Sequence, residues 1–249
     1  MRFFIEFSYN GKAYHGWQIQ PNAISVQEVL EKALSTILKT GITVVGAGRT
    51  DAGVHASQMF AHFDFAETFN SKDLVYRLNS YLPKDIAILN IFEVQPNAHA
   101  RFNATSRTYH YKISTSKNVF DYDFAYQVQL PLNVDAMNEA CKILFKYKDF
   151  QCFSKSNTDV KTYNCDIKTV FWTINTNQLI FTITADRFLR NMVRAIVGTM
   201  VNIGLGKLKP EDMSYIIASK DRGRAGFSVP AHGLYLVEVV YPESLRLKS

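Results

Sequence analysis

Ile42-Thr43-Val44-Val45 runs into Gly46-Ala47-Gly48-Arg49-Thr50-Asp51-Ala52-Gly53-Val54-His55, and a second apolar run follows from Ser57 to Phe65. The β-branched residues and the alternation predict strands from Thr43 to Gly48 and from Ser57 to Phe65, joined by a glycine-flanked loop. Glycines at 46, 48 and 53 are expected to allow positive φ and the close approach of a bulky ligand. An isolated Asp-x-Gly reads as a simple turn. Here Arg49, Thr50, Asp51 and His55 crowd one short loop, which points beyond a turn to a site. Upstream, Arg2 to Tyr9 places Phe3, Ile5 and Phe7 on one face of a further strand. Ser25-x-x-Glu28 is a capping box ahead of Val26, Val29, Leu30, Ala33, Leu34, Ile37 and Leu38 at helical spacing. Downstream, Ser71 is expected to cap a helix running to Leu82 and stopped by Pro83, with a strand from Ile86 to Val94. The first half therefore reads β-α-β-β-α-β.

The second half repeats that order without repeating residues. Strands are expected over Arg107 to Ser114 and Tyr122 to Gln129, then a helix from Asn133 to Lys146. A hairpin of Ile167 to Asn175 and Leu179 to Ala185 turns at Thr176-Asn177. A helix from Phe188 to Gly204, a shorter one opening at Pro210 and a last strand from Leu234 to Tyr241 complete the pattern. Two split β-α-β units imply an α/β (α+β) protein of two ferredoxin-like halves. A boundary between Asn97 and Thr105 gives domains 1–103 and 104–249.

The 249 residues, 47% of them apolar, suffice for one large or two medium cores. No run approaches the roughly 20 apolar residues of a membrane span, and the opening Met1-Arg2-Phe3-Phe4-Ile5-Glu6-Phe7 is too short for a secretion signal. Cys141, Cys152 and Cys165 form no Cys-x-x-Cys pair, which predicts three reduced thiols in a cytoplasmic protein and no zinc site. No ligand spacing connects His15, His55 and His62, so metal ligation is not expected of them. The net charge is +6, from 28 basic and 22 acidic residues. Between Gln95 and Phe120 there is no acidic residue, while Arg101, Arg107, Lys112, Lys117, His99 and His110 alternate with Phe102, Tyr109, Tyr111 and Phe120. Cations contact phosphates and aromatic faces stack bases, so this mixture suits an unpaired or flipped nucleotide. On a wheel of about 100° per residue, Leu189, Met192, Val193, Ile196, Val197 and Met200 share an apolar face, with Arg190 and Arg194 at its edge and Arg187 near them.

Gly48-Arg49-Thr50-Asp51-Ala52-Gly53-Val54-His55 closely resembles the signature of the tRNA pseudouridine synthase A family. Tyr9-Asn10-Gly11, Tyr14-His15-Gly16-Trp17-Gln18 and Ser25-Val26-Gln27-Glu28 resemble its N-terminal block. His99-Ala100-Arg101-Phe102 with Arg107-Thr108-Tyr109-His110-Tyr111 resembles its second signature. Phe188-Leu189-Arg190-Asn191-Met192-Val193-Arg194 and His232-Gly233-Leu234-Tyr235-Leu236-Val237 resemble the third and last. Tyr163-Asn164-Cys165 departs from the family pattern, where Arg or Thr-Pro is usual. The resemblance implies the pseudouridine synthase fold, two ferredoxin-like (RRM-like) α/β domains with mixed, largely antiparallel sheets flanking a basic cleft. It implies isomerisation of uridine to pseudouridine at positions 38, 39 and 40 of tRNA, in the anticodon stem-loop, by a cytoplasmic homodimer. By the same resemblance Asp51 is the nucleophile and Arg194 its partner, Tyr109 stacks on the target base and Leu234 lines the base pocket; Arg49 is expected to serve positioning or base extrusion, since an arginine can fill the gap left by a flipped uridine. Arg101, Phe102, Arg107 and Arg190 are then RNA contacts.

Such a reaction involves no redox change, hydrolysis or external group, so it requires no cofactor. A carboxylate could attack the anomeric carbon, add to the pyrimidine ring or assist a sugar-derived intermediate, and all three routes stay open. Two other classes compete. A non-enzymatic RNA-binding module gives no reason for an acidic loop, where the anion only repels phosphate. A nucleoside or glycoside hydrolase usually needs two cooperating carboxylates, and Asp51 is the only acidic residue from Thr40 to Phe63.

Overall fold

The computed structural model describes residues 1–156 and 160–247. Its contacts divide the chain into two units: Met1–Ser106 joined by the stretch from Tyr235 onward, and Arg107–Leu234. The expected division at 103/104 gave the last strand to the second half, whereas here it packs with the first. Elements are numbered in chain order.

The first unit contains β1 (Arg2–Tyr9), α1 (Val26–Leu38), β2 (Val45–Gly46), β3 (His55–Asp64), α2 (Ser71–Tyr81), β4 (Ile86–Val94) and the returning β9 (Leu234–Val240). Strand β1 lies between β3 and β4, antiparallel to both. The other edge of β3 is shared: β2 pairs antiparallel with Ala61 and His62, and β9 pairs in parallel with His55 and Ala56. Together with α1 and α2 this is the split β-α-β-β-α-β arrangement. Both faces of β1 are buried. Phe7 stacks on Trp17 at 5.5 Å, while Phe4 packs edge-on against Tyr241 just beyond β9 at 5.0 Å.

The strand expected over Thr43 to Gly48 shrinks to two residues, for a clear reason. Residues 41–46 alternate exposed and buried as an extended chain would, but their backbone groups are satisfied by side chains of α1. Ser35 Oγ accepts from Ile42 N–H and Glu31 Oε1 from Val44 N–H, while Gln27 donates to the Val44 carbonyl. At α1 the expected Ser25 cap forms, its hydroxyl accepting from Glu28 N–H. At α2 the cap is Asn70, which accepts from Lys72 and Asp73, and Ser71 is the first helical residue.

The second unit contains β5 (Ser106–Ser114), β6 (Tyr126–Gln127), α3 (Val134–Leu144), β7 (Ile167–Asn175), β8 (Gln178–Ala185), α4 (Met192–Gly204) and α5 (Asp212–Ser219). Strand β8 lies between β5 and β7, antiparallel to both, and β7 turns into β8 at Thr176 with φ +50°. The strand expected over Tyr122 to Gln129 is reduced to β6, parallel to β5 at Ile113 and Ser114, because Asp121 starts a turn whose carbonyl accepts from Phe124 and Ala125. The helix expected from Phe188 begins only at Met192, because Asn191 sits in the left-handed region at φ +69°. Among the described residues, no helix is long and apolar enough to cross a membrane.

One device appears in both units. Asn79 on α2 donates its amide to the Ile88 carbonyl of β4 and accepts from the Ile88 N–H. Asn138 on α3 does the same to Trp172 of β7. Each amide imitates a neighbouring strand for one residue of a strand that follows its own helix. Replacing either by Ala leaves a backbone donor and acceptor without these partners. Asn79→Ala and Asn138→Ala are each expected to cost about 1–3 kcal/mol in urea denaturation; no loss for either would mean that water replaces the amide without penalty.

Candidate active site

The Asp51 loop is built as a tight turn. The Asp51 carbonyl accepts from Val54 N–H at 3.2 Å, and Gly53 takes φ +77° at the third position, where a side chain would be strained. Of the three glycines expected to serve backbone freedom, this one does so. At Gly46 a Cβ would lie 2.6 Å from the Trp17 indole, so that glycine makes room for a buried tryptophan, and Gly48 faces open space. Thr50, just before the carboxylate, is held twice: its carbonyl accepts from Trp17 N–H at 3.3 Å and its hydroxyl pairs with the Tyr9 hydroxyl at 2.9 Å. Gly53 N–H donates to the Tyr14 carbonyl. His55 closes the loop as a buried acceptor: its Nδ1 takes the Gly11 N–H at 3.1 Å, and its ring stacks on Tyr235 of β9 at 4.7 Å. Asp51 itself is half-buried and Arg49 is exposed.

In the second unit the helix that carries Arg194 is more buried than an amphipathic pattern suggests. Eleven of the thirteen residues of α4 are buried, and Arg194 is its one charged side chain. A cation in such a helix needs fixed partners. Its Nε donates to the Val229 carbonyl at 2.7 Å, and Val229 N–H returns a bond to the Arg194 carbonyl. Arg190 does not share the helix with Arg194 as the wheel predicts. It precedes Asn191 and is exposed, its carbonyl accepting from Lys155 N–H. Arg187 also lies before the helix and donates to the Thr162 carbonyl. Tyr109 is half-buried on β5, and its ring meets Phe188 edge-on at 5.1 Å, which joins the second and third signatures. Arg107, two residues earlier on the same face, donates to the Asp186 carbonyl at 2.7 Å and so has a structural bond. Leu234 is 6% exposed. The preceding Gly233 lies so close to Tyr111 that a Cβ would come within 2.8 Å of its ring.

The segment between β4 and β5 presents Phe102 to solvent in a fixed pose. Phe102 is 75% exposed, yet its ring packs on His99 at 4.3 Å with the Arg101 guanidinium 5.7 Å from its centroid. His99 Nδ1 accepts from Arg101 N–H, and Asn103 Oδ1 accepts from His99 N–H. Behind His99 stands His62 at 4.7 Å, whose Nδ1 accepts from Ala100 N–H. Burial, with Arg2 and His99 nearby, lowers the His62 pKa from the ordinary 6.5 to about 4. Burial lowers His99, aided by Arg2, and His110, aided by Lys112. In each case the folded state resists protonation that the unfolded state accepts. Stability is therefore complete above about pH 6.5 and is lost as the pH falls toward 4. Urea midpoints measured from pH 7 to 4 should decline, and His62→Gln should flatten the decline; an unchanged slope in that variant would remove His62 from the account.

Sequence reading places Tyr9, Gly11, Tyr14, Gly16 and Trp17 in a family block without giving them a role; here they hold the loop rather than act from it. Two glycines five residues apart among aromatics, with no turn to explain both, were the available signal.

The tRNA pseudouridine synthase family model matches residues 6–103 and 140–242. The tRNA pseudouridine synthase A of Parabacteroides distasonis is 54% identical over 247 residues, covering 98% of this chain and 97% of that protein. That of Porphyromonas gingivalis is 52% identical over 250 residues, 99% of each. That of Bacillus subtilis is 40% identical over 245 residues, 97% of this chain and 99% of that protein.

Proposed function

The chain belongs to the tRNA pseudouridine synthase family, and from that membership we propose that it is an isomerase converting uridine to pseudouridine in the anticodon arm of tRNA, with Asp51 as the nucleophile. In this reaction the N1–C1′ bond breaks, a C5–C1′ bond forms, the hydrogen on C5 leaves and N1 gains a proton. Atoms balance without a co-substrate. The observation that carries the reading is the Asp51 turn. A half-buried carboxylate, alone of its kind from residue 40 to 63, is tied down through the backbone on both sides.

Arg194 is the proposed ion-pair partner of Asp51. Its Nε bond to Val229 aims the planar guanidinium, and a fork of that kind suits a carboxylate. Tyr109 is proposed to stack on the extruded uracil beside Leu234. Arg49, exposed next to the carboxylate, fills the gap left in the stem. Arg101, Phe102, Arg107 and Arg190 contact the RNA, and two copies of the chain share one assembly, whose mass light scattering would give.

Incubating the purified protein with uridine-containing tRNA and mapping pseudouridine tests the reading. Pseudouridine in the anticodon arm supports it, free uracil would indicate a hydrolase, and binding without modification a binding module. Affinity should fall steeply with salt. Phe102→Ala should weaken binding roughly 5- to 150-fold, the range of one lost base stack, and leave the salt slope intact. Arg101→Ala should reduce that slope by about 1. Unchanged affinity in both variants would remove this segment from the RNA interface.

A further inference from the structure

We infer that residues Tyr9 to Trp17 form a positioning clamp for the Asp51 loop, with Tyr9 and Thr50 as its adjustable joint. The inference rests on Asp51 being the nucleophile.

Two glycines of this segment touch the loop so closely that no side chain fits. A Cβ on Gly11 would lie 2.0 Å from the Val54 carbonyl oxygen, and one on Gly16 would lie 2.4 Å from the Thr50 carbonyl oxygen and 3.1 Å from the Asp51 carbonyl carbon. Gly16 also sits at φ +92°, which strains any L side chain. Between them, Tyr14 offers its carbonyl to Gly53 N–H, and beyond them Trp17 donates to the Thr50 carbonyl. Gly11 N–H reaches His55 Nδ1. The clamp thus holds residues 50 and 53 through main-chain hydrogen bonds and His55 through its imidazole Nδ1, and it packs against the backbone of Asp51 and Val54.

One clamp bond lies between two side chains, the Tyr9 and Thr50 hydroxyls at 2.9 Å. It joins the end of β1 to the residue before the nucleophile. The clamp segment is anchored independently of the loop. Asn10 N–H donates to the Asp85 carbonyl, the Tyr14 hydroxyl donates to the Asp85 carboxylate at 2.7 Å, and Trp17 is buried against Phe7. A rigid frame gripping a short turn fixes where the carboxylate stands, and a displacement of about 1 Å can cost a hundredfold in rate.

The test measures single-turnover rates and tRNA affinities separately. Tyr9→Phe and Thr50→Val should each lower the rate by about twofold to tenfold, the worth of one hydrogen bond. The double variant should lose no more than either alone, and Thr50→Ser, which keeps the hydroxyl, should restore the native rate. The affinity should stay native throughout. Gly16→Ala should lower the rate by about a hundredfold. Should that variant fail to fold, the hydroxyl pair alone decides. Native rates for Tyr9→Phe and Thr50→Val, or fully additive losses, would overturn the clamp while an inactive Asp51→Asn kept the nucleophile in place. An active Asp51→Asn would overturn the nucleophile instead.

Discussion

Asp51→Asn should bind tRNA at least as tightly as the native protein and form no pseudouridine. The described bonds of the loop run through main-chain groups of residues 50, 51, 53 and 54, the Thr50 hydroxyl and His55 Nδ1. A near-isosteric amide leaves these bonds in place. Removing one negative charge beside a phosphate-bearing ligand favours binding slightly. What disappears is the carboxyl group, and with it any of the three chemical routes. Loss of a nucleophile lowers turnover by about 10⁴-fold or more in well-studied enzymes. Filter binding together with single-turnover mapping of pseudouridine separates the two quantities. Turnover within tenfold of native would show that the carboxylate is not the reacting group.

Arg194→Ala is expected to produce the second largest loss, about 10³-fold in rate, the scale on which one fixed charge or donor stabilises a reacting group in a desolvated site. The same change removes the donor to the Val229 carbonyl, so a smaller drop in stability should accompany it. Arg194→Lys separates the effects. Lysine keeps the charge but lacks the planar fork that can serve a carbonyl and a carboxylate together, so its rate should recover only in part. If both variants matched the native rate across the pH range, the pairing with Asp51 would be wrong, and Arg194 would serve structure, as through its bond to Val229.

Much of this was legible in the chain itself. The Ser25 cap and the apolar stripe of α1 are local patterns, and local geometry decided them. The loop was readable because a turn with positive φ, a small-residue flank and a carboxylate are all set by neighbours in sequence. What escaped was decided by distant partners. The run from Thr43 has strand-like alternation, yet side chains of α1 replace most of the ladder a strand would use. The start of α4 turned on one asparagine adopting a left-handed conformation, which no periodicity reports. The last strand looks the same whether it serves one half or the other, and pairing with His55 and Ala56 assigns it to the first. The need for glycine at 11 and 16 was not legible locally, because the surface they fit lies some forty residues away.

The return of β9 to β3 sets an order of events during synthesis. A ribosome releases the Asp51 loop early, but the strand that pairs with His55 and Ala56 emerges only after the entire second unit has been made. Until then the Tyr235 ring is not yet there to stack on His55, and Phe4 lacks the cover of Tyr241. The first unit is thus completed only after the second has been made. A chain cut short before Tyr235 would carry Asp51 without a finished seat for its loop, so truncated products should be inert rather than partly active.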